Sequence, residues 1–321
     1  MREHPQFNAY LALAAVCIFW GTTYLGIRIA LQDIPPLTLV AARFLLSGGL
    51  MVIGAKLSGA ILPRGRELWE TAGFGLLTLA IGNSCLSFAE LLVPSGIAAL
   101  MVTTAPFWMV GLGALLPGGE RLHLPTMLAM LVGCVGVALL AIPLLGHPEQ
   151  GAIGIIPGFF LLQLSCAAWC LGALLQRRQA SRAHPFVSGA VQQLVTGLAL
   201  VVPAWIDPHQ AHWTPRAVGA VVYLAMFGSV VGYSAYLYAI QHLPLAISSV
   251  YTYINPLVAV VLGWIVFREP FGKWESASVV VIFLGVYLVK KAQQKSDADA
   301  LVAVEELRAD GAAESGQRSQ K

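Results

Sequence analysis

Apolar runs of about 20 residues, separated by short polar breaks, recur between Asn8 and Val289 and set the scale of every element in this chain. A helix of roughly 20 mainly apolar residues crosses the hydrocarbon core of a bilayer. Ten such runs are present, at 8–31, 37–56, 70–91, 95–116, 124–143, 153–176, 186–206, 216–240, 246–267 and 273–289. Period-2 alternation, which a transmembrane barrel requires, is missing from them. The pattern predicts an all-α membrane protein of ten transmembrane helices.

The pattern also repeats. At a spacing of 149 residues Cys17 meets Cys166, Trp20 meets Trp169, Arg28 meets Arg177, Gly48 meets Gly197, Glu120 meets Glu269 and Gly136 meets Gly285. At 150, Phe88 meets Tyr238, Pro94 meets Pro244, Ile97 meets Ile247, Pro106 meets Pro256 and Gly113 meets Gly263. A self-match of this length defines two units, expected at 8–143 and 153–290, with 291–321 as a disordered cytoplasmic tail rich in Ala, Glu, Asp and Gln. Five spans per unit is an odd number, so the second unit enters the membrane upside down. Such inverted repeats serve alternating access, and matched Gly or Pro interruptions in them point toward a binding site. Pro106 and Pro256 are that matched pair, each expected to break its helix and free a carbonyl about one turn earlier.

Composition strengthens the membrane reading: 57% of the 321 residues are apolar and 11% charged, with mean hydropathy +0.74. The net charge of +3 matters less than its placement. Lys and Arg accumulate in short cytoplasmic loops. With the N-terminus inside, the inner segments hold Arg2, Lys56, Arg64, Arg66, Arg121, Arg177, Arg178, Arg182, Lys290, Lys291 and Lys295, and the outer loops only Arg216, Arg268 and Lys273. Both termini are therefore expected in the cytoplasm of an inner-membrane protein. The first span lacks a small-residue cleavage site and reads as a retained helix.

Ionisable side chains at membrane depth are costly and mark function by default. Arg43 lies deep in the second span, and Glu90 stands at the outer end of the third as either a solvated carboxylate or a gate. Arg28 is close enough to the surface to snorkel. Trp20 and Trp169 sit mid-span, away from the interfacial belts, and so fill the core or line a cavity. Tyr251 and Asn255 share one helical face at spacing four. With Tyr24, Asn83 and Trp108 they complete the candidate substrate cavity. Gly228 and Gly232 form a small-xxx-small contact. The five cysteines lie inside spans as small apolar filler, and all seven histidines fall in loops or at span ends. No metal site, cofactor motif, catalytic set or nucleic-acid patch is visible, so an enzyme is not expected.

Phe19-Trp20-Gly21-Thr22-Thr23-Tyr24, Arg43-Phe44, Pro94-Ser95-Gly96-Ile97-Ala98-Ala99-Leu100, Asn255-Pro256-Leu257-Val258-Ala259-Val260 and Arg268-Glu269-Pro270 occur in that order. In these segments the chain resembles the EamA-type permeases of the drug/metabolite transporter superfamily over residues 8 to 290. The resemblance implies a transporter, usually an exporter of amino acids or related metabolites, with a central cavity between the halves. Its partners are then a small-molecule solute and the lipid bilayer. Proton coupling stays open, as do a multidrug or cationic-compound exporter that uses Glu90 and a non-transporting scaffold that acts through its tail. The repeat counterpart of Arg43 is Gln192, so a basic contact is expected from one half alone.

Overall fold

Backbone polar groups in lipid must be satisfied within the chain, which leaves the apolar runs one solution, the helix. A computed structural model describes residues 5–117, 124–139, 152–179, 183–243, 247, 250–269, 272–289 and 291–292. Ten helical rods run through them. In chain order they are α1 (Pro5–Ala30), α2 (Pro36–Leu57), α3 (Arg66–Glu90), α4 (Ser95–Leu115), α5 (Leu124–Leu139), α6 (Ala152–Arg178), α7 (Pro185–Trp205), α8 (215–242), α9 (Tyr251–Phe267) and α10 (273–289). Seven are long and apolar enough to cross a bilayer; α5 and α9 are apolar but shorter. Glu120, Pro244 and the tail beyond 292 lie outside the described residues.

Helix starts repeat with the sequence. Pro36 and Pro185, 149 apart, each occupy the first turn of their helix, where a missing N–H costs nothing and the fixed φ favours the helix. Thr214 caps α8 by accepting from the Ala217 amide at 3.1 Å, and Pro215 follows it in the first turn.

Packing obeys the same two-fold relation. α2 and α7 cross on each other, and both crossing points are glycines of the repeat: a Cβ on Gly197 would come within 2.5 Å of the Leu45 amide, and one on Gly48 would strike the Leu194 backbone. α1 packs on α8 and α9, and its counterpart α6 packs on α3 and α4. α5 and α10 meet where Gly136 faces the Ile282 amide and Gly285 faces the Gly133 backbone. The fold is an all-α membrane protein of ten transmembrane helices in two inverted five-helix repeats.

Interruptions of the helices are partly symmetric. α3 and α8 each contain a π-helical stretch, Leu76–Ile81 and Leu224–Val231, at matching repeat positions. α9 ends in a third, Gly263–Phe267, closed by Arg268 at φ 54°. The prolines behave differently from expectation. α4 breaks at Thr103–Thr104, and Pro106 sits in the first turn of the following segment Ala105–Leu115, where it needs no donor. Pro256 lies inside the segment Tyr251–Leu262 instead.

Candidate functional site

One face of α1 brings Trp20, Thr23, Tyr24 and Ile27 to the centre of the bundle at the spacing i, i+3, i+4, i+7. They form one wall of a cavity of about 250 Å³ between the halves. Arg43 and Phe44 of α2, Asn83 of α3 and Thr103 and Pro106 of α4 are among the first half's other contributions. From the second half come Ser165, Cys166 and Trp169 of α6, Gln193 of α7, Ser229 and Tyr233 of α8, Tyr251, Tyr253, Asn255 and Pro256 of α9, and Phe283 of α10. Many wall positions are repeat partners, such as Trp20 with Trp169, Phe44 with Gln193, and Pro106 with Pro256.

Chemistry differs between those partners. Trp20 is held firmly: its indole N–H donates to the Gly228 carbonyl at 3.0 Å, and its ring meets Tyr236 and Tyr251 at centroid distances of 5.2 and 5.3 Å. Gly228 and Gly232 permit this approach, since a Cβ on Gly232 would lie 2.6 Å from Trp20 Nε1 and one on Gly228 2.8 Å from Thr23 Cγ2. Their small-xxx-small spacing thus admits a wall residue of another helix. Trp169 is 41% exposed.

Arg43 is buried, and its Nε donates to Ser229 Oγ at 2.9 Å while its guanidinium lies 5.0 Å over the Phe44 ring. No Asp or Glu is among the described residues that line the cavity. The wall therefore carries one guanidinium, several aromatic rings, hydroxyls and amides. Asn255, with its amide nitrogen turned toward them, donates to the Cys17 carbonyl (3.0 Å) and the Tyr251 carbonyl (3.1 Å). It ties α9 to α1 as well as facing the cavity.

Of the candidates named from sequence, Trp20, Tyr24, Arg43, Asn83, Trp169, Tyr251 and Asn255 and both prolines line the cavity; Trp108 and Glu90 stand outside the wall. Trp108 Nε1 donates to Gln163 Oε1 at 2.8 Å, and the same oxygen accepts from Thr104 Oγ1 at 3.1 Å. Trp108 thereby props the break in α4. Glu90 is fully buried at the end of α3. Arg28, expected to snorkel, instead turns inward and donates to the Glu90 main-chain carbonyl, because that carbonyl at the helix end has no intrahelical partner.

Ser229, Tyr233 and Phe283 were not singled out from the sequence. Ser229 follows Gly228 in the small-residue stripe, and a stripe read as packing alone hid the hydroxyl beside it. Tyr233 directly follows Gly232, and a mid-span aromatic beside that glycine is the signal that could have found it. Helix α10 contributes Phe283 with Val286 beside it on the wall, an apolar pair that carries no signal of its own.

At the face expected outside, Asp33 accepts from Thr214 Oγ1 (2.7 Å) and Arg216 (3.3 Å). Those donors, Thr214 first, hold its carboxyl below the ordinary value of 3.8. At the opposite face Glu70 accepts from Gln179 Nε2 at 2.9 Å and Glu67 from the Ala183 amide at 3.0 Å.

Comparison with known proteins agrees with this architecture. The profile of the EamA-like transporter family matches residues 7–142 and 156–290. An uncharacterized inner membrane transporter of Escherichia coli (strain K12), YedA, is 34% identical over 294 residues, covering 90% of this chain and 92% of its own. A probable terminal-alkyne amino-acid exporter of Streptantibioticus cattleyicolor is 24% identical over 271 residues, covering 80% of this chain and 85% of its own. One protein crystal structure superposes with a TM-score of 0.63 at 21% identity, over 89% of this chain and 98% of that one, which is a likeness of fold.

Proposed function

The chain belongs to the EamA-like transporter family, and from that premise we propose that it exports a small zwitterionic or monoanionic metabolite of the amino-acid class by alternating access. The observation that carries the solute class is Arg43: a buried guanidinium on an aromatic cavity wall with no carboxylate among its described residues. A buried cation without a counter-charge is costly, and a solute carboxylate offsets that cost through charge-assisted hydrogen bonds. The rings of Trp20, Tyr24, Trp169 and Tyr251 accommodate an apolar or aromatic side chain, and the amide of Asn83 is available to its polar groups. A volume of about 250 Å³ suits one small metabolite. A nucleotide sugar or phosphate ester would call for several basic residues.

Residues 8–143 and 153–290 act as the two units that exchange arrangements, with both termini in the cytoplasm in keeping with the eleven-to-three distribution of basic residues. The similarity to a protein named as an amino-acid exporter supports the same class. A cationic-drug exporter is the weaker reading, because its natural partner, Glu90, stands outside the cavity wall.

Counterflow of labelled amino acids in proteoliposomes tests the proposal. At least one amino acid should exchange, and Arg43→Gln should lower that exchange about tenfold or more, the loss of roughly one charge-assisted contact. Exchange of tetraphenylphosphonium with no exchange of any amino acid would overturn the solute class.

A further inference from the structure

The break in α4 is itself part of the cavity wall, which Val102, Thr103 and Pro106 line. Around the break the amides of Thr103 and Thr104 reach back to the carbonyls of Leu100 and Met101 at 3.1 and 3.2 Å, and the Phe107 amide reaches that of Thr104 at 2.9 Å. The hydroxyls of Thr103 and Thr104 double the first two contacts. The Thr103 carbonyl is passed over. Pro106, three residues on, has no N–H to give it, and the Phe107 amide, four residues on, is engaged with Thr104. Main-chain carbonyls at buried positions such as Thr103 are nearly always paired, and among the described residues no donor reaches this one.

Asn83 belongs to the same part of the wall. Ser165 of α6 donates to the carbonyl of Gly82, the residue before Asn83, at 2.7 Å, and the neighbouring Cys166 thiol approaches the Val102 carbonyl at 3.8 Å. Adjacent residues of α6 thus join the turn that carries Asn83 to the break in α4. The Asn83 side chain has no hydrogen-bond partner among the described residues and lines the cavity. Gln163, which accepts from Thr104 and Trp108, fixes the break on its other side. The segment Ser95–Val102 adds the negative end of its helix dipole. Arg43 stands in a different part of the wall, where α2 meets α8 at Ser229. The second half has no equivalent break, since Pro256 lies inside the segment Tyr251–Leu262.

We propose that the Thr103 main-chain carbonyl and the Asn83 side-chain oxygen form an ammonium subsite, which makes a protonated amino group a requirement for transport. An ammonium group brings three donors and a positive charge to two acceptors that lack a donor. A divalent metal ion would ask for about six oxygens, more than this part of the wall presents. With the solute carboxylate at Arg43, the two charges of a zwitterion are answered from two separate parts of the cavity. The inference rests on the export reading above and narrows it from zwitterionic or monoanionic solutes to zwitterions alone.

Counterflow of labelled L-phenylalanine and L-leucine in proteoliposomes tests it, with unlabelled competitors that differ in the amino group. 3-Phenylpropionate and 4-methylpentanoate keep the side chain and carboxylate of the two amino acids and carry hydrogen in place of the ammonium. Half-inhibition should need about thirtyfold or more of the analogue than of the parent amino acid. Asn83→Leu, and Pro106→Ala, which brings an N–H within reach of the Thr103 carbonyl, should each narrow that ratio to about fivefold or less, while Asn83→Asp keeps or widens it. Equal inhibition by analogue and parent in the unsubstituted chain, or a ratio unchanged in both Asn83→Leu and Pro106→Ala, would overturn the ammonium subsite and leave the export of small carboxylates standing. Absence of exchange for both amino acids would overturn the subsite together with the reading on which it rests.

Discussion

At the face expected outside, α1 meets α2 and α8 through Ile27, Ala30, Ile34, Leu39, Ala220 and Leu224, all buried together. At the opposite face the repeat counterparts of the first four are Gln176, Gln179, Ala183 and Ser188. There the chain leaving α6 meets α3 through hydrogen bonds from Gln179 and Ala183 to Glu70 and Glu67. Equivalent positions are apolar in one half and mostly polar in the other. The contrast teaches where an inverted repeat keeps its two states: two halves alike in packing as well as in path would form the same contacts at both faces at once. Trp20, fixed by a hydrogen bond and two rings, and Trp169, partly exposed, carry the same contrast into the cavity.

The relation between the halves can be broken first at the axis. Gly48→Val and Gly197→Val each drive a side chain into the backbone of the partner helix, and each is expected to cost about 3 kcal/mol or more, read as a lowered Tm or lost folded protein in detergent. Tolerance of one but not the other would mean that the axis itself is asymmetric. Next comes the dry seal. Ile27→Ala should destabilise by about 2–4 kcal/mol, whereas its counterpart Gln176→Ala should stay within about 1 kcal/mol; equal losses in denaturation experiments would erase the contrast between the faces.

A smaller effect is expected in the cavity. Trp20→Phe keeps a ring but removes the N–H that reaches Gly228, and counterflow should drop about tenfold, against about twofold or less for Trp169→Phe. The smallest effect concerns the tie between the loop after α1 and the start of α8. Asp33 has its pKa depressed by folding, so its contribution is present at neutral pH and is lost only as the pH falls through the folded value, below 3.8. Melting curves of Asp33→Asn should run parallel to those of the unsubstituted chain above about pH 5 and lack its additional acid-side decline. Divergence that began near pH 7 would assign that step to another group.

Long elements were legible because lipid demands a fixed length and the repeat supplies every position twice. The cavity was legible in part: side chains with an obvious mismatch to lipid, such as Arg43, Asn83 and mid-span Trp20, could be singled out, and they line it. Position along a helix axis misled for Glu90 and Trp108. Both have the right chemistry, but which way a side chain points within the bundle depends on helix rotation, and the π-helical stretch in α3 alters that rotation just before Glu90. The bend in α4 shows the same limit, because Thr103 and Thr104 satisfy their hydroxyls on carbonyls three residues back and so move the break ahead of Pro106.

The paired π-helical stretches in α3 and α8 also bear on the history of the chain. A π-helical stretch is commonly the mark of one residue added to an ordinary helix, and two independent additions seldom fall at the same place in the third helix of each unit. Their agreement argues that the extra residue was already present in a single ancestral five-helix gene before duplication. The glycines, tryptophans and charges that now differ between the halves are then the record of divergence since that event.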